Sequence, residues 1–259
     1  LAALALEVSA QTINDLLRRL ADSLSAQQRF ASDAAHELRT PLTALKLQVQ
    51  LAQRAKTPEA QQKCFSRLNE GINRATRLVQ QLLTIARLDP DASKKPMTTI
   101  NLAELVKSVR DDMAPIAAQK NIEITEDARP AMLDGMEDAI RLMVTNLTDN
   151  AIRYTPEGGR IEITSSTEHG LSVLRVCDNG PGIAPKERSR VFDRFYRALG
   201  TKTSGTGLGL AIVKRIVDIH HGTVEIEDGL DGRGTIFKLS FPPLGASSHH
   251  TAAVPSSRI

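Results

Sequence analysis

The sequence predicts two unlike units in tandem: an all-α unit that pairs into an antiparallel four-helix bundle, and an α/β two-layer sandwich behind it. Three observations predict this. Apolar residues recur with a heptad spacing through the first part of the chain. A polar, proline-punctuated stretch, Asp89-Pro90-Asp91-Ala92-Ser93-Lys94-Lys95-Pro96, then interrupts the pattern. From Met97 onward, short alternating runs take turns with amphipathic ones.

In the first unit Leu17, Leu24, Ala31, Leu38 and Leu45 share one heptad position, while Ile13, Leu20, Gln27 and Ala34 share the other. The pattern gives a continuous helix from Ile13 to Ala52, roughly 60 Å long at about 1.5 Å per residue. Pro41 removes a backbone donor and is expected to bend the helix, shifting the seam to Leu42, Leu45, Val49 and Ala52. Thr57-Pro58 reads as a cap and first-turn residue. A second helix then carries Phe65, Leu68, Ile72, Ala75, Val79, Leu82 and Ala86 as its core face. Two such helices on a short loop cannot bury both stripes alone, so a homodimer is expected.

In the second unit Asn101 caps a helix to about Ala118, Ile122 to Thr125 is a strand, and Asp138 to Ile152 is a helix. Ile161 to Ser165 and Leu171 to Cys177 are strands joined by a turn at His169-Gly170. Leu208 to His220 is a helix, and Thr223 to Glu227 with Thr235 to Phe241 closes the sheet around Gly229 to Gly234. Residues 244–259 are small and polar without periodicity and are expected to be disordered.

Composition narrows the function. The chain has 259 residues and a net charge of only +3, without a basic stripe, so nucleic acid is not the expected partner. Cys64 and Cys177 show no metal-ligand spacing and read as reduced thiols. No apolar run approaches the roughly 20 residues of a membrane span. Because the chain opens without Met inside a helical pattern, it is expected to have been cut from something longer, in which a membrane-spanning part upstream would not be visible.

Four patches carry chemistry. His36 lies at the position furthest from the seam, wet and without a packing role, with Glu37 beside it and Thr40 one turn on. A zinc-protease reading fails because position 40 is Thr where a second His is needed. Asn146, Asn150 and Arg153 recur at helical spacing, so amides and a cation share a face while Leu142, Leu147 and Ala151 point to the core; amide oxygens suit magnesium. Asp178-Asn179-Gly180-Pro181-Gly182-Ile183 follows an apolar strand, where a carboxylate can accept from an exocyclic amine. Gly205-Thr206-Gly207-Leu208-Gly209-Leu210 opens a helix whose N–H groups attract phosphate. The segment before it, residues 185–204, holds Phe192, Phe195 and Tyr196 and reads as a lid. A Walker A motif is absent, which disfavours a P-loop enzyme.

Taken in order, His36 to Pro41, Asn146 to Tyr154, Asp178 to Gly182, Phe192 to Arg197 and Gly205 to Gly209 resemble the H, N, G1, F and G2 boxes of bacterial two-component sensor histidine kinases. The run around His36 and the compact lid are similar to the subgroup of quorum-sensing and polymyxin-resistance sensors. The resemblance implies the end of a HAMP signalling helix at 1–29, a dimerisation and phosphotransfer bundle at 30–94, and a Bergerat-type (GHKL) ATP-binding sandwich at 95–243, with a tail at 244–259. It implies ATP and Mg2+ as ligands, with Asn150 holding the metal helped by Asn146, and Arg153 and Tyr154 facing phosphates and adenosine. Asp178 would pair with the adenine amine, while Gly180, Gly182, Ile183, Gly205, Thr206, Gly207, Leu208 and Gly209 would shape the pocket. Arg197 would approach the γ-phosphate.

On this reading His36 is the nucleophile and Glu37 takes the remaining ring proton. The phosphohistidine donates to an aspartate of a response-regulator receiver domain. Thr40 would orient a water for the reverse dephosphorylation. Two other classes stay open: a GHKL-type ATPase whose turnover ignores His36, and a scaffold that binds no nucleotide.

Overall fold

A computed structural model of the chain describes residues 2–87, 97–197, 206–229 and 232–244. The predicted linker, residues 198–205 of the lid and glycine loop, and the tail beyond Leu244 lie outside them. The chain divides into two compact units, Leu1–Leu82 and Leu83–Ile259.

The first unit is built from α1 (Ala2–Arg54) and α2 (Pro58–Arg87) as far as Leu82. Thr57 caps α2 as its sequence position suggests, its hydroxyl accepting from the Ala60 N–H at 3.2 Å. α1 continues through Pro41, and the seam expected beyond it is divided: Leu45 and Ala52 are covered within this chain, Leu42 and Val49 are not. Leu38, Pro41, Leu45, Gln48 and Ala52 form the covered face, whereas Leu42 and Val49 stay exposed. The repeat read as core on α2 is likewise split. Leu68, Ala75 and Leu82 are half-buried, but Phe65, Ile72 and Val79 are exposed, while Leu78, outside the repeat, is buried. α1 and α2 meet closely at Gly71, where an added Cβ would lie 2.7 Å from Leu45 Cδ2. The physical reason for the split is that each helix carries two adjacent apolar stripes and its hairpin partner covers only one. Leu42, Val49, Phe65, Ile72 and Val79 remain as a heptad-spaced apolar face.

The second unit comprises β1 (Thr98–Asn101), α3 (Leu102–Ala118), β2 (Glu123–Ala128), β3 (Met132–Gly135), α4 (Glu137–Tyr154), β4 (Arg160–Glu168), β5 (Leu171–Asp178), α5 (Gly209–Ile219), β6 (Thr223–Asp228) and β7 (Thr235–Phe241). The main sheet runs β2-β4-β5-β7-β6, parallel only between β2 and β4. β1 and β3, absent from the sequence reading, pair antiparallel as a separate ribbon. Asn101 caps α3 as predicted, accepting from the Ala103 N–H at 3.1 Å.

One face of the sheet is covered by helices. Burial alternates along β7, with Thr235, Phe237, Leu239 and Phe241 facing in. Ile140, Met143, Leu147 and Ile212, on the buried faces of α4 and α5, belong to the same unit's core. Leu142, predicted to face the core, is half-buried and Met143 takes its place. The opposite face carries charges: Arg175 grips Glu168 through two bonds of 2.6 and 2.7 Å, holding that carboxyl down to about 2. Cys177 on the same face is buried enough that its thiol is pushed up to about 12, so it stays protonated.

Two long-range contacts fix α4, the helix that bears the amides. At its start, buried His220 accepts from the Met136 N–H through Nε2 at 3.1 Å while Nδ1 donates to Ile216 O at 2.7 Å. That pattern needs a neutral ring, and burial holds its pKa down. At its end, the Lys120 ammonium donates to the carbonyls of Ile152, Arg153 and Thr155 at 2.8, 3.1 and 3.4 Å. These are orphan carbonyls at the negative end of the helix dipole. Replacing Lys120 by Met is expected to cost on the order of 1–3 kcal/mol, read as a lower melting temperature of the whole chain.

Candidate functional site

The site residues fall in both units. On α1, His36 is exposed. Thr40, one turn on and also exposed, turns its hydroxyl to the His36 carbonyl at 3.5 Å. Glu37 is half-buried beside them, and its carboxylate makes no hydrogen bond to the His36 ring among the described residues. The ring is therefore open to solvent and free to receive a group delivered from outside.

In the second unit, β5 ends on Asp178, which is 4 % exposed. Its Oδ1 accepts from the Gly180 N–H at 2.9 Å and the Thr235 N–H at 3.2 Å. Oδ2 has no partner among the described residues. Burial raises the Asp178 pKa above the ordinary carboxylate value, and the two N–H donors pull it back in part. The following loop is folded against the start of β7. Gly182 has φ +77°, and a Cβ there would lie 2.9 Å from Gly234 O, so the position requires glycine twice over. Ile183 is half-buried at the loop's end.

The glycines before α5 are held in the same way. Gly207 has φ +70° and packs so closely on Phe195 that a Cβ would meet its backbone at 2.6 Å. The Phe195 N–H donates to Gly207 O at 3.0 Å, clasping the aromatic segment to the glycine loop. Phe192 anchors that segment on the sheet by an edge contact with Phe237, ring centroids 6.4 Å apart. Leu208, buried at the N-cap, offers α5 no side-chain cap, although Thr206 Oγ1 accepts the Leu208 N–H at 3.3 Å. α5 thus begins with N–H groups available to an anion.

Across from this helix start lies the amide face of α4. Asn146 is anchored by Nδ2 donating to Leu142 O at 2.8 Å, and its Oδ1 would lie 3.2 Å from a Cβ on Gly209. Asn150, half-buried, makes no side-chain hydrogen bond among the described residues. Arg153 pairs with Asp149 at 2.8 Å, and Tyr154 is half-buried on the last turn. Gly180 approaches that turn, a Cβ there falling 3.1 Å from Tyr154 O. Arg197 is exposed at the end of the described lid. The arrangement brings together Asn146, Tyr154, Asp178, Gly180, Gly182, Gly207 and Gly209; His36, Glu37 and Thr40 belong to the other unit, and Gly205 lies outside the described residues.

Sequence reasoning missed Thr235, whose backbone N–H helps hold Asp178, and Arg188, which bonds the loop end. Only the Gly234-Thr235 step at a strand start hinted at the first. Nothing local marked the second.

These residues suit an adenosine polyphosphate. A buried carboxylate with one open oxygen selects a flat group carrying an amine donor, and the bare helix start selects phosphate. Among the described residues no three His, Cys, Asp or Glu side chains cluster as a metal site. The amides of Asn146 and Asn150 fit a cation that completes its shell with phosphate oxygens.

Two family models match the chain: "Histidine kinase-, DNA gyrase B-, and HSP90-like ATPase" over residues 135–245, and "His Kinase A (phospho-acceptor) domain" over 26–91. The sensor protein kinase PmrB of Pseudomonas aeruginosa is 41 % identical over 231 residues, covering 89 % of this chain and 48 % of its own length. Sensor protein QseC of Escherichia coli is 40 % identical over 225 residues, 86 % of this chain and 49 % of its own. The chain spans about half the length of these curated relatives. Among solved structures, histidine kinase ThkA in complex with response regulator protein TrrA has a TM-score of 0.67 at 25 % identity, covering 85 % of this chain and 63 % of that one. Full-length ShkA in complex with AMPPNP has a TM-score of 0.61 at 30 % identity, covering 83 % and 45 %.

Proposed function

Because this chain belongs to the sensor histidine kinases of two-component systems, among the PmrB and QseC sensors, we propose that it phosphorylates itself on His36 from Mg-ATP and passes the phosphoryl group to a receiver aspartate. The observation that carries the reading is Asp178, an acid buried at a strand end with one oxygen held and the other open. Such a group is costly to bury without a donor to meet it.

The roles follow from chemistry at each residue. Asp178 accepts from the adenine amine, within the frame of Gly180, Gly182 and Ile183. Asn150, with Asn146, holds Mg2+, and Arg153 and Tyr154 border the phosphates and adenosine. The loop Gly205-Thr206-Gly207-Leu208-Gly209 and the start of α5 cradle phosphate oxygens, and Arg197 on the lid offsets charge on the γ-phosphoryl group. Bound Mg2+ supplies neutralisation of the phosphate charge. A lone pair of the His36 ring forms the N–P bond while the bond from the γ-phosphorus to its bridging oxygen breaks, its electrons leaving with ADP. The remaining ring proton passes to Glu37. The structure of ThkA with a response regulator supports the choice of partner.

Phosphotransfer also needs a dimer on this reading. The exposed stripe of Leu42, Val49, Phe65, Ile72 and Val79 has the heptad spacing that a second copy would cover in a four-helix bundle. The proposed domains are 1–29, 30–94, 95–243 and the tail 244–259. No helix among the described residues is long and apolar enough to cross a membrane. We place the whole protein in the inner membrane through sequence beyond this chain, with this portion on the cytoplasmic side.

The test is incubation with γ-labelled ATP and Mg2+. The expected product is a label stable to base and lost in acid, mapping to the peptide that contains His36. Steady hydrolysis of ATP with no label on the chain would instead identify a GHKL-type ATPase.

A further inference from the structure

Arg188 lies beyond the nucleotide-contacting residues, at the foot of the lid. It follows the short 3-10 turn Pro185–Glu187. Its guanidinium donates to three acceptors from two other segments: Nε to Ile183 O at 3.1 Å, Nη1 to Ile226 O at 3.1 Å, and Nη2 to the Asp228 carboxylate. Ile226 and Asp228 belong to β6, the edge strand of the sheet, where carbonyls lack a ladder partner on the outer side. Ile183 closes the glycine loop that starts at Asp178.

These bonds complete a circuit. The near end of the loop is held by Thr235, whose N–H donates to Asp178. Gly182, midway, packs on Gly234 O. Gly234 O accepts from the Gly229 N–H at 3.1 Å, tying the start of β7 to the residue after β6. Arg188 then returns from β6 to the far end of the same loop. Without it the far end of the loop loses this hold, and the lid keeps its Phe192 contact with Phe237 but not its tie to the edge strand.

We infer that Arg188 is a positioning residue for nucleotide binding: it clamps the end of the Asp178–Ile183 loop and the foot of the lid to the edge strand, so that the adenosine pocket is formed before the ligand arrives. The inference rests on the nucleotide reading above. Planarity matters here, because a guanidinium can address three acceptors at once from fixed directions and an ammonium cannot match that fork. The exposed pair with Asp228, whose side chain is 76 % exposed, contributes little by itself. The two carbonyl bonds carry the clamp.

The test compares the unsubstituted chain with Arg188→Ala and Arg188→Lys by calorimetric titration with Mg-ADP, by melting temperature without ligand, and by labelling rate at saturating Mg-ATP. Arg188→Ala is expected to weaken Mg-ADP about tenfold, the scale on which a ligand must order a segment that the parent holds ready. Arg188→Lys should fall between the two. The melting temperature should move by no more than about 3 °C, and the labelling rate at saturation should stay within about twofold, because only ground-state binding is touched. Unchanged Mg-ADP affinity in Arg188→Ala overturns the inference. So does a labelling rate at saturation that falls as far as the affinity, which marks general loss of folded protein. Failure of the unsubstituted chain to bind Mg-ADP is a separate result and sinks the nucleotide reading itself.

Discussion

Asp178→Asn is expected to leave the apo chain at least as stable as the parent at neutral pH while removing its response to Mg-ATP. The two effects have one origin. Asp178 is buried, and its folded pKa is raised above the unfolded value because burial penalises the charged form. A carboxylate of that kind costs the fold nothing below its unfolded pKa, where both states are protonated. The cost grows as the pH rises from the unfolded pKa to the folded one and persists above it. Asparagine carries no charge and so removes it. Its Oδ1 can still accept the Gly180 and Thr235 N–H groups, so the loop keeps both bonds. What changes is the outer position: where the acid presents an acceptor, the amide presents an NH2 to the adenine amine. Two donors then face each other in a buried site, and the loss should reach about 100-fold or more in affinity. Thermal unfolding with and without nucleotide separates the effects. The parent should gain about 2.7 kcal/mol at 100 times its Kd, and the variant almost nothing. The stability advantage of the variant should shrink on acidification toward the unfolded pKa of an aspartate. A variant that melts lower than the parent at neutral pH would contradict the burial argument, and one that still binds Mg-ATP would displace Asp178 from its role.

Why Asp178 was legible in the sequence and Arg188 was not is a matter of range. A carboxylate at the end of an apolar strand followed by Gly-Pro-Gly states its surroundings within six residues. Arg188 acquires meaning only from Ile226 and Asp228, roughly forty residues further on, and no local pattern marks an arginine in a charged stretch as a clamp. Thr235 is similar: its contribution is a backbone N–H, 57 residues from the acid it bonds. The helical elements were legible because a stripe repeats. β1 and β3, four residues each, are too short to show a period and exist through their mutual pairing. The division of the seam after Pro41 has the same root. Leu42 and Val49 are apolar at seam spacing, and sequence alone does not tell which of two stripes the hairpin partner covers and which it leaves for another chain.

His36→Gln should abolish labelling from γ-labelled ATP, to below about 1 % of the parent, while leaving Mg-ATP binding unchanged. Glutamine keeps bulk and polarity on an exposed helical position, so α1 has no reason to rearrange. It has no ring nitrogen with a lone pair to form an N–P bond, so the loss is one of chemistry and not of degree. The nucleotide residues belong to the second compact unit, where Asp178 is held by the Gly180 and Thr235 N–H groups and Asn146 by the Leu142 carbonyl. Binding and labelling are therefore expected to separate completely in this variant, a pattern that a nucleotide-site defect cannot produce. Thr40→Ala refines the argument. Among the described residues its hydroxyl reaches the His36 carbonyl alone, one turn back, so its removal should spare the ring and the label. If Thr40 orients the water that attacks a phosphorylated receiver, Thr40→Ala should slow receiver dephosphorylation at least tenfold at unchanged labelling. Equal loss of both reactions would show that Thr40 supports the helix around His36 and does not handle water. Residual acid-labile label in His36→Gln would place the phosphoacceptor on another residue.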